Sequence, residues 1–200
     1  MPTTPPPRRR PSSPPTASKR VRLRCKTSSQ RAADAPVYNG YFEHQLPGTT
    51  TCGLHALHNI LGAPLWVETD VAQAAAVNFD SRFAHDAIIH GETLQDDIDG
   101  TGGNFSLNAL GELLGTAHTR FQDVPELSLR ALATADEFYE SPNLRGLLQH
   151  RPGHWVAYKL QEKHCFFLDS LAPSPTYVSV DDFRRACALY RHTFGVFALA

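Results

Sequence analysis

Residues 49–62, T-T-T-C-G-L-H-A-L-H-N-I-L-G, place a cysteine at the head of a short apolar helix. Thr49, Thr50 and Thr51 can each cap a helix start, and Gly62 followed by Pro64 supplies the stop. Cys52 then falls in the first turn, where its sulfur faces unpaired backbone N–H groups and the positive end of the helix dipole. Both favour thiolate over thiol, and a thiolate is a nucleophile. Such a nucleophile needs a base, a group that orients the base, and a donor for the oxyanion.

The base and its partner lie a hundred residues on. Residues 154–160 (H-W-V-A-Y-K-L) and 165–171 (C-F-F-L-D-S-L) are aromatic and branched runs around the polar Q-E-K-H, the pattern of a β-hairpin. A two-residue turn at Gln161-Glu162 sets His154 opposite Asp169, on one face with Cβ atoms about 4.5–5.5 Å apart. In that arrangement an acid fixes the tautomer of a histidine, and the histidine takes a proton from a thiol. A slip of one residue would pair His154 with Ser170 or Leu168 and turn Asp169 away. Upstream, Gln45 in H-Q-L-P-G-T-T-T-C can offer a side-chain N–H to the oxyanion beside the backbone N–H of Cys52.

Each of these residues also has a plainer reading. A free cysteine is commonly a buried structural thiol, and it is the His154 and Asp169 register that favours catalysis for Cys52. C-x-x-H-x-x-H (Cys52, His55, His58) resembles a metal site. Steps of three drift around a helix, however, and no fourth ligand is evident, so neither metal nor cofactor is expected. His164 and Cys165 are strand neighbours facing opposite sides, Cys187 reads as core, and Trp155 reads as core or as a wall of the substrate channel. Thr51 and Gly53, small residues flanking Cys52, are compatible with a narrow channel.

The elements that must hold these groups follow from the rest of the chain. Residues 1–36 carry nine Lys or Arg against the single acid Asp34 and hold eight of the fifteen prolines; the net is +8, against −9 for the remainder. This part reads as a disordered basic arm, and 37–200 as one catalytic domain. Within the arm, residues 18–26 (S-K-R-V-R-L-R-C-K) suit an import receptor or weak nucleic-acid backbone contact, or no partner at all. Residues 67–83 read as a second helix, and 84–103 as a surface loop or helical excursion. Asn104 or Ser106 caps a third helix over 107–114.

Beyond it, 128–139 is compatible with a helix and 144–150 with a short strand. Ser179 with Asp182 opens a helix through about Arg191 that turns Phe183, Ala186, Cys187 and Tyr190 inward. Residues 194–199 form a central or nearly central strand. No stretch reaches the ~18 apolar residues of a membrane span, no secretion signal opens the chain, and the cysteines Cys25, Cys52, Cys165 and Cys187 show no paired spacing. The expectation is an intracellular monomer, cytoplasmic or nuclear, with reduced thiols.

Three blocks in order, Y-F-E-H-Q…C-G-L-H-A-L-H-N-I-L, G-N-F-S-L-N-A-L and G-H-W-V-A-Y-K-L…C-F-F-L-D-S-L, resemble the Josephin family of cysteine deubiquitinases, from about Tyr38 to Leu199. The resemblance implies an α+β, papain-like fold, with a helical part carrying the nucleophile packed on an antiparallel sheet carrying the base. By position it gives Cys52 as nucleophile, His154 as base and Asp169 as the orienting residue. It makes His55 a residue packed beside the site, and ubiquitin or polyubiquitin conjugates the partners. In the family the oxyanion glutamine stands five residues before the cysteine. Here Gln45 stands seven before and Pro47 holds the usual place, so Gln45 serves only if Pro47-Gly48 loops out the surplus.

The expected activity is hydrolysis after the C-terminal glycine of ubiquitin through a thioester. Another papain-like thiol protease or an acyltransferase would need the same trio, and a non-catalytic ubiquitin-binding adaptor would need none of it.

Overall fold

The computed structural model describes residues 35–83, 105–190 and 192–199. The basic arm through residue 34, the excursion at 84–103 and Asn104 lie outside the described residues. Within them the elements run α1 (Cys52–Leu61), α2 (Glu68–Phe83), α3 (Leu107–Gly115), α4 (Ala117–Arg120), β1 (Leu127–Ala131), α5 (Glu137–Glu140), β2 (Leu144–Arg151), β3 (His154–Gln161), β4 (His164–Leu168), β5 (Thr176–Val178), α6 (Val180–Leu189) and β6 (Thr193–Ala198). The strands form one sheet in the order β1-β6-β2-β3-β4-β5, with every neighbouring pair antiparallel. The fold is therefore α+β.

The sheet is covered on both faces, which explains why its middle strands are apolar along their length rather than alternating. Because successive side chains point to opposite sides, Trp155 and Ala157 of β3 enter the larger core with Leu54, Leu57 and Ile60 of α1 and Leu110 and Leu114 of α3. Val156 and Tyr158 enter a second core with Phe138 of α5 and Phe183 of α6. Thus α1 lies against β3 and β2, and its first turn meets the beginning of β3.

Helix ends behave largely as their residues dictate. Gly62 takes the left-handed conformation at φ 87° and its N–H closes on the His58 carbonyl, ending α1. Ser106 accepts the Ala109 N–H at the start of α3, and Ser179 accepts the Asp182 N–H at the start of α6. Thr51 holds the N-cap position of α1 without capping it. Its hydroxyl donates to Thr49 Oγ1 at 3.2 Å instead.

Three expectations need correction. Residues 128–139 are not one helix: Leu127–Ala131 is an edge strand paired with β6, and only Glu137–Glu140 is helical. Pairing with the apolar β6 overrides the weak helical preference, and the alternation of Leu127 and Leu129 is the trace of it in the sequence. The strand of 194–199 is penultimate in the sheet, between β1 and β2.

The hairpin turn, finally, is Glu162-Lys163 and not Gln161-Glu162. Gln161 pairs with His164 and Ala157 with Leu168, so Asp169 lies just past the end of β4 and is not the direct partner of His154. Glu162 and Lys163 have φ of 52° and 69°, as the two centres of a type I′ turn require, and this turn matches the twist of the strands it joins. Neither residue is at ease there. Replacing the pair by Asn-Gly is expected to stabilise the protein by about 1 kcal/mol, seen as a higher urea midpoint at unchanged slope. A lower midpoint would contradict the turn assignment.

Candidate active site

Cys52 opens α1 and is fully buried. Its neighbour Gly53 allows this. A Cβ at Gly53 would stand 3.1 Å from a Leu110 methyl and 3.2 Å from the Trp155 ring, so glycine lets the first turn settle on α3 and β3 without displacing either side chain. Gly53 therefore serves packing. The Cys52 Sγ accepts the backbone N–H of Trp155 at 3.3 Å, and the sulfur stands near enough to the His154 ring to raise its pKa. The Trp155 indole N–H donates to the Phe105 carbonyl at 2.9 Å, deep in the larger core, so Trp155 is a core residue.

His154 Nε2 lies 2.8 Å from Asp169 Oδ1. The misplaced turn did no harm to this pair, because moving a turn by one residue changes the pairing by two positions. Both residues therefore stay on one face, as diagonal neighbours within side-chain reach. Asp169 is steadied from behind by the Leu171 N–H at 2.9 Å. The hydrogen bond from His154, and then that of Leu171, hold the Asp169 carboxyl below its ordinary range although burial opposes them. In return the Asp169 hydrogen bond, and after it the Cys52 sulfur, lift His154 to about 9.

Gln45 lies against the segment that follows Asp169. Leu46, Pro47, Gly48 and Thr49 form a turn closed by the Thr49 N–H on the Leu46 carbonyl at 3.1 Å, with Gly48 at φ 84°. Proline and then a left-handed glycine at the two centres make a type II turn, and the surplus residues are folded out in it. The Gln45 Nε2 donates to the Thr49 carbonyl, closing the loop. On its other side Gln45 joins the segment after β4: its backbone N–H donates to the Ser170 carbonyl at 3.0 Å. Contacts therefore run in a ring from Cys52 through His154, Asp169, Ser170, Gln45 and Thr49 to Thr51, the residue before Cys52.

Glu43 has no counterpart in the sequence reading. Its Oε1 lies 2.6 Å from Nδ1 of His55 and 2.6 Å from Nδ1 of His58, and the Tyr41 hydroxyl donates to its other oxygen. Its N–H donates to Asn59 Oδ1 at 2.8 Å. Glu43 thus ties the segment carrying Gln45 to three residues of the helix carrying Cys52, two through its carboxylate and Asn59 through its backbone. Burial pushes the Glu43 carboxyl up, but the bonds from His55, His58 and Tyr41 outweigh it and hold the group well below the ordinary carboxylate range.

Among the described residues Glu43, His55 and His58 form the one cluster whose donor atoms, all within 4.8 Å, could surround a cation. The chemistry does not fit one. His58 Nε2 accepts the Trp66 N–H at 3.1 Å, so the ring proton sits on Nδ1, where a metal would need a lone pair.

Glu43→Ala is expected to cost about 2–3 kcal/mol, the worth of the charge-assisted bonds lost. A depressed carboxyl stabilises the fold above its unfolded value near ~4.3 and loses that contribution as pH falls toward the folded value. The variant should therefore show a flatter loss of stability in acid than the parent, and parallel acid-unfolding curves would contradict the role given to Glu43.

A buried sulfur at a helix start, a nearby imidazole and a carboxylate bonded to that imidazole are the kinds of group a cysteine protease uses. The sequence model of the Josephin family matches residues 48–192, and the chain belongs to that family, one of deubiquitinase-type cysteine proteases associated with ubiquitin binding. The matched region takes in Cys52, His154, Asp169 and Ser170 and begins three residues after Gln45. No curated protein matches the chain.

Proposed function

We propose that this protein is a papain-like thiol isopeptidase that cleaves after the C-terminal glycine of ubiquitin or a ubiquitin-like modifier. One observation carries the reading: His154 is held at 2.8 Å by Asp169 and feels the buried Cys52 sulfur on the same ring. Asp169 occupies Nε2 of His154, which leaves Nδ1 for the sulfur. Transfer of the thiol proton to Nδ1 makes a thiolate and an imidazolium, and the raised His154 value favours that ion pair near neutral pH.

The thiolate attacks the glycine carbonyl, and the oxyanion is met by the Cys52 N–H and the Gln45 amide. His154 Nδ1 then gives its proton to the leaving lysine amine and a thioester remains. A water attacks the thioester, giving a proton to Nδ1 as the sulfur leaves, and the glycine carboxylate departs with the resting pair restored.

The test compares ubiquitin carrying a fluorogenic C-terminal amide with a short peptide amide of the same tail sequence. Hydrolysis of the ubiquitin amide with at least a hundredfold preference in kcat/KM over the peptide is expected. Equal use of both would favour a peptide-directed protease, and binding of ubiquitin with no hydrolysis by the parent protein would favour an adaptor.

A further inference from the structure

We infer that Ser170 is a positioning residue that sets the orientation of the Gln45 amide, and through it the oxyanion donor. This rests on the reading of Gln45 under the proposed function and adds a residue to it. The argument starts from a symmetry: a glutamine amide can turn by half a revolution and exchange its oxygen and nitrogen, and only its neighbours decide which way it stands.

Gln45 and Ser170 are both buried, at 7% and 2% exposure, so water does not make the choice. The Thr49 carbonyl can only accept, which fixes Nε2 on the Thr49 side. Oε1 must then face the other way, where Ser170 Oγ stands 3.3 Å from it. A hydroxyl facing a carbonyl oxygen must donate, so the single Ser170 proton is committed to Gln45. One N–H of Nε2 is engaged with Thr49, and the second is the one left for charge developing on the substrate.

The backbone repeats the link, since the Ser170 carbonyl receives the Gln45 N–H at 3.0 Å and locks the two segments side by side. Asp169 therefore orients the base while the next residue orients the oxyanion donor. A single bend after β4 serves both halves of the reaction. The type II turn at Pro47-Gly48 makes the second anchor matter more, because the amide is otherwise held only by a carbonyl within its own loop.

Removing the hydroxyl leaves Oε1 buried without its partner and the amide free to turn. Ser170→Ala is expected to lower kcat about tenfold, the worth of one neutral hydrogen bond, with KM little changed. Two readouts separate this from a general loosening of the site. The alkaline limb of the pH profile should stay near 9, where His154 puts it, because Ser170 acts through Gln45 and not through Asp169. In a Gln45→Ala background, Ser170→Ala should cost less than twofold more.

Additive losses, or an alkaline limb that moves with Ser170→Ala, would overturn the assignment. Hydrogen exchange of the 15N-labelled Gln45 side-chain amide, read without substrate, should speed up severalfold in the variant, and unchanged exchange would likewise overturn it. A parent protein inert toward ubiquitin substrates would refute the catalytic reading instead, and the exchange measurement tells that failure apart. Should Ser170→Ala not fold, Ser170→Cys, of similar size and a weaker donor, is expected to show the same signs at smaller amplitude. Parent-like kcat and parent-like Gln45 amide exchange in that variant would refute the role.

Discussion

Replacing Cys52 by alanine is expected to abolish hydrolysis of ubiquitin conjugates, lowering kcat by roughly 10⁴-fold or more, while ubiquitin binding and the fold persist. The size follows from the chemistry. Without the sulfur no thioester can form, and what remains is water attacking an amide held by the oxyanion donors alone, which is worth only a small part of the total acceleration. Little else should change. Cys52 is fully buried, so the lost sulfur leaves a void smaller than a methylene pair, and a fall in stability of about 1 kcal/mol is expected. Binding within a factor of a few of the parent, measured calorimetrically with ubiquitin, together with zero turnover, would separate nucleophile from scaffold. Residual turnover of even one per cent would mean that another group does the work.

Asp169→Asn is expected to have the next largest effect, and its signature lies in pH rather than in rate alone. The Asp169 carboxylate is the chief reason His154 stays protonated up to about 9. Since a raised histidine is charged below its folded value, His154 bonded to Asp169 keeps its proton through neutral pH and loses it as pH rises through about 9. Without the negative charge the alkaline limb should fall back toward the ordinary imidazole range near ~6.5. The rate at pH 7.5 should drop by roughly 10–10²-fold, because little of the imidazole then carries a proton, while the asparagine oxygen still accepts from the ring.

The same pair contributes to stability with the same sign. Its share is fully present below ~6.5 and is lost as pH rises through about 9, so the variant should lose less stability than the parent between pH 7 and 10. A pH–rate profile that keeps its alkaline limb in Asp169→Asn would detach the carboxylate from the mechanism.

Much of this site could be read from local rules. The stop at Gly62, the caps at Ser106 and Ser179, and the place of Cys52 at the head of α1 depend on neighbours a few residues away, and the sequence carries that information directly. The match of His154 with Asp169 survived a wrong turn because strand faces have period two, so an even shift in pairing leaves the face intact. What set the true turn was left-handed backbone at Glu162 and Lys163, residues that give no turn signal of their own.

Edge strand β1 was missed for a related reason. Its identity depends on β6, more than sixty residues away, and not on its own preference. The two surplus residues between Gln45 and Cys52 are folded into one turn at Pro47 and Gly48, a feature that the spacing alone leaves open. Glu43 and Ser170 gave no signal, because each works through partners that only the folded chain brings near: His55 and His58 for Glu43, and Gln45 for Ser170.

The central claim is that the Cys52 sulfur, activated by His154, attacks the carbonyl at the end of ubiquitin. Ubiquitin ending in a vinyl electrophile, incubated with the native protein and followed by intact-mass and peptide mass spectrometry, tests it most directly. The account predicts one adduct per protein, on Cys52, lost in Cys52→Ala and slowed at least a hundredfold in His154→Ala. An adduct on Cys165 or Cys187, or none with folded protein, would contradict it.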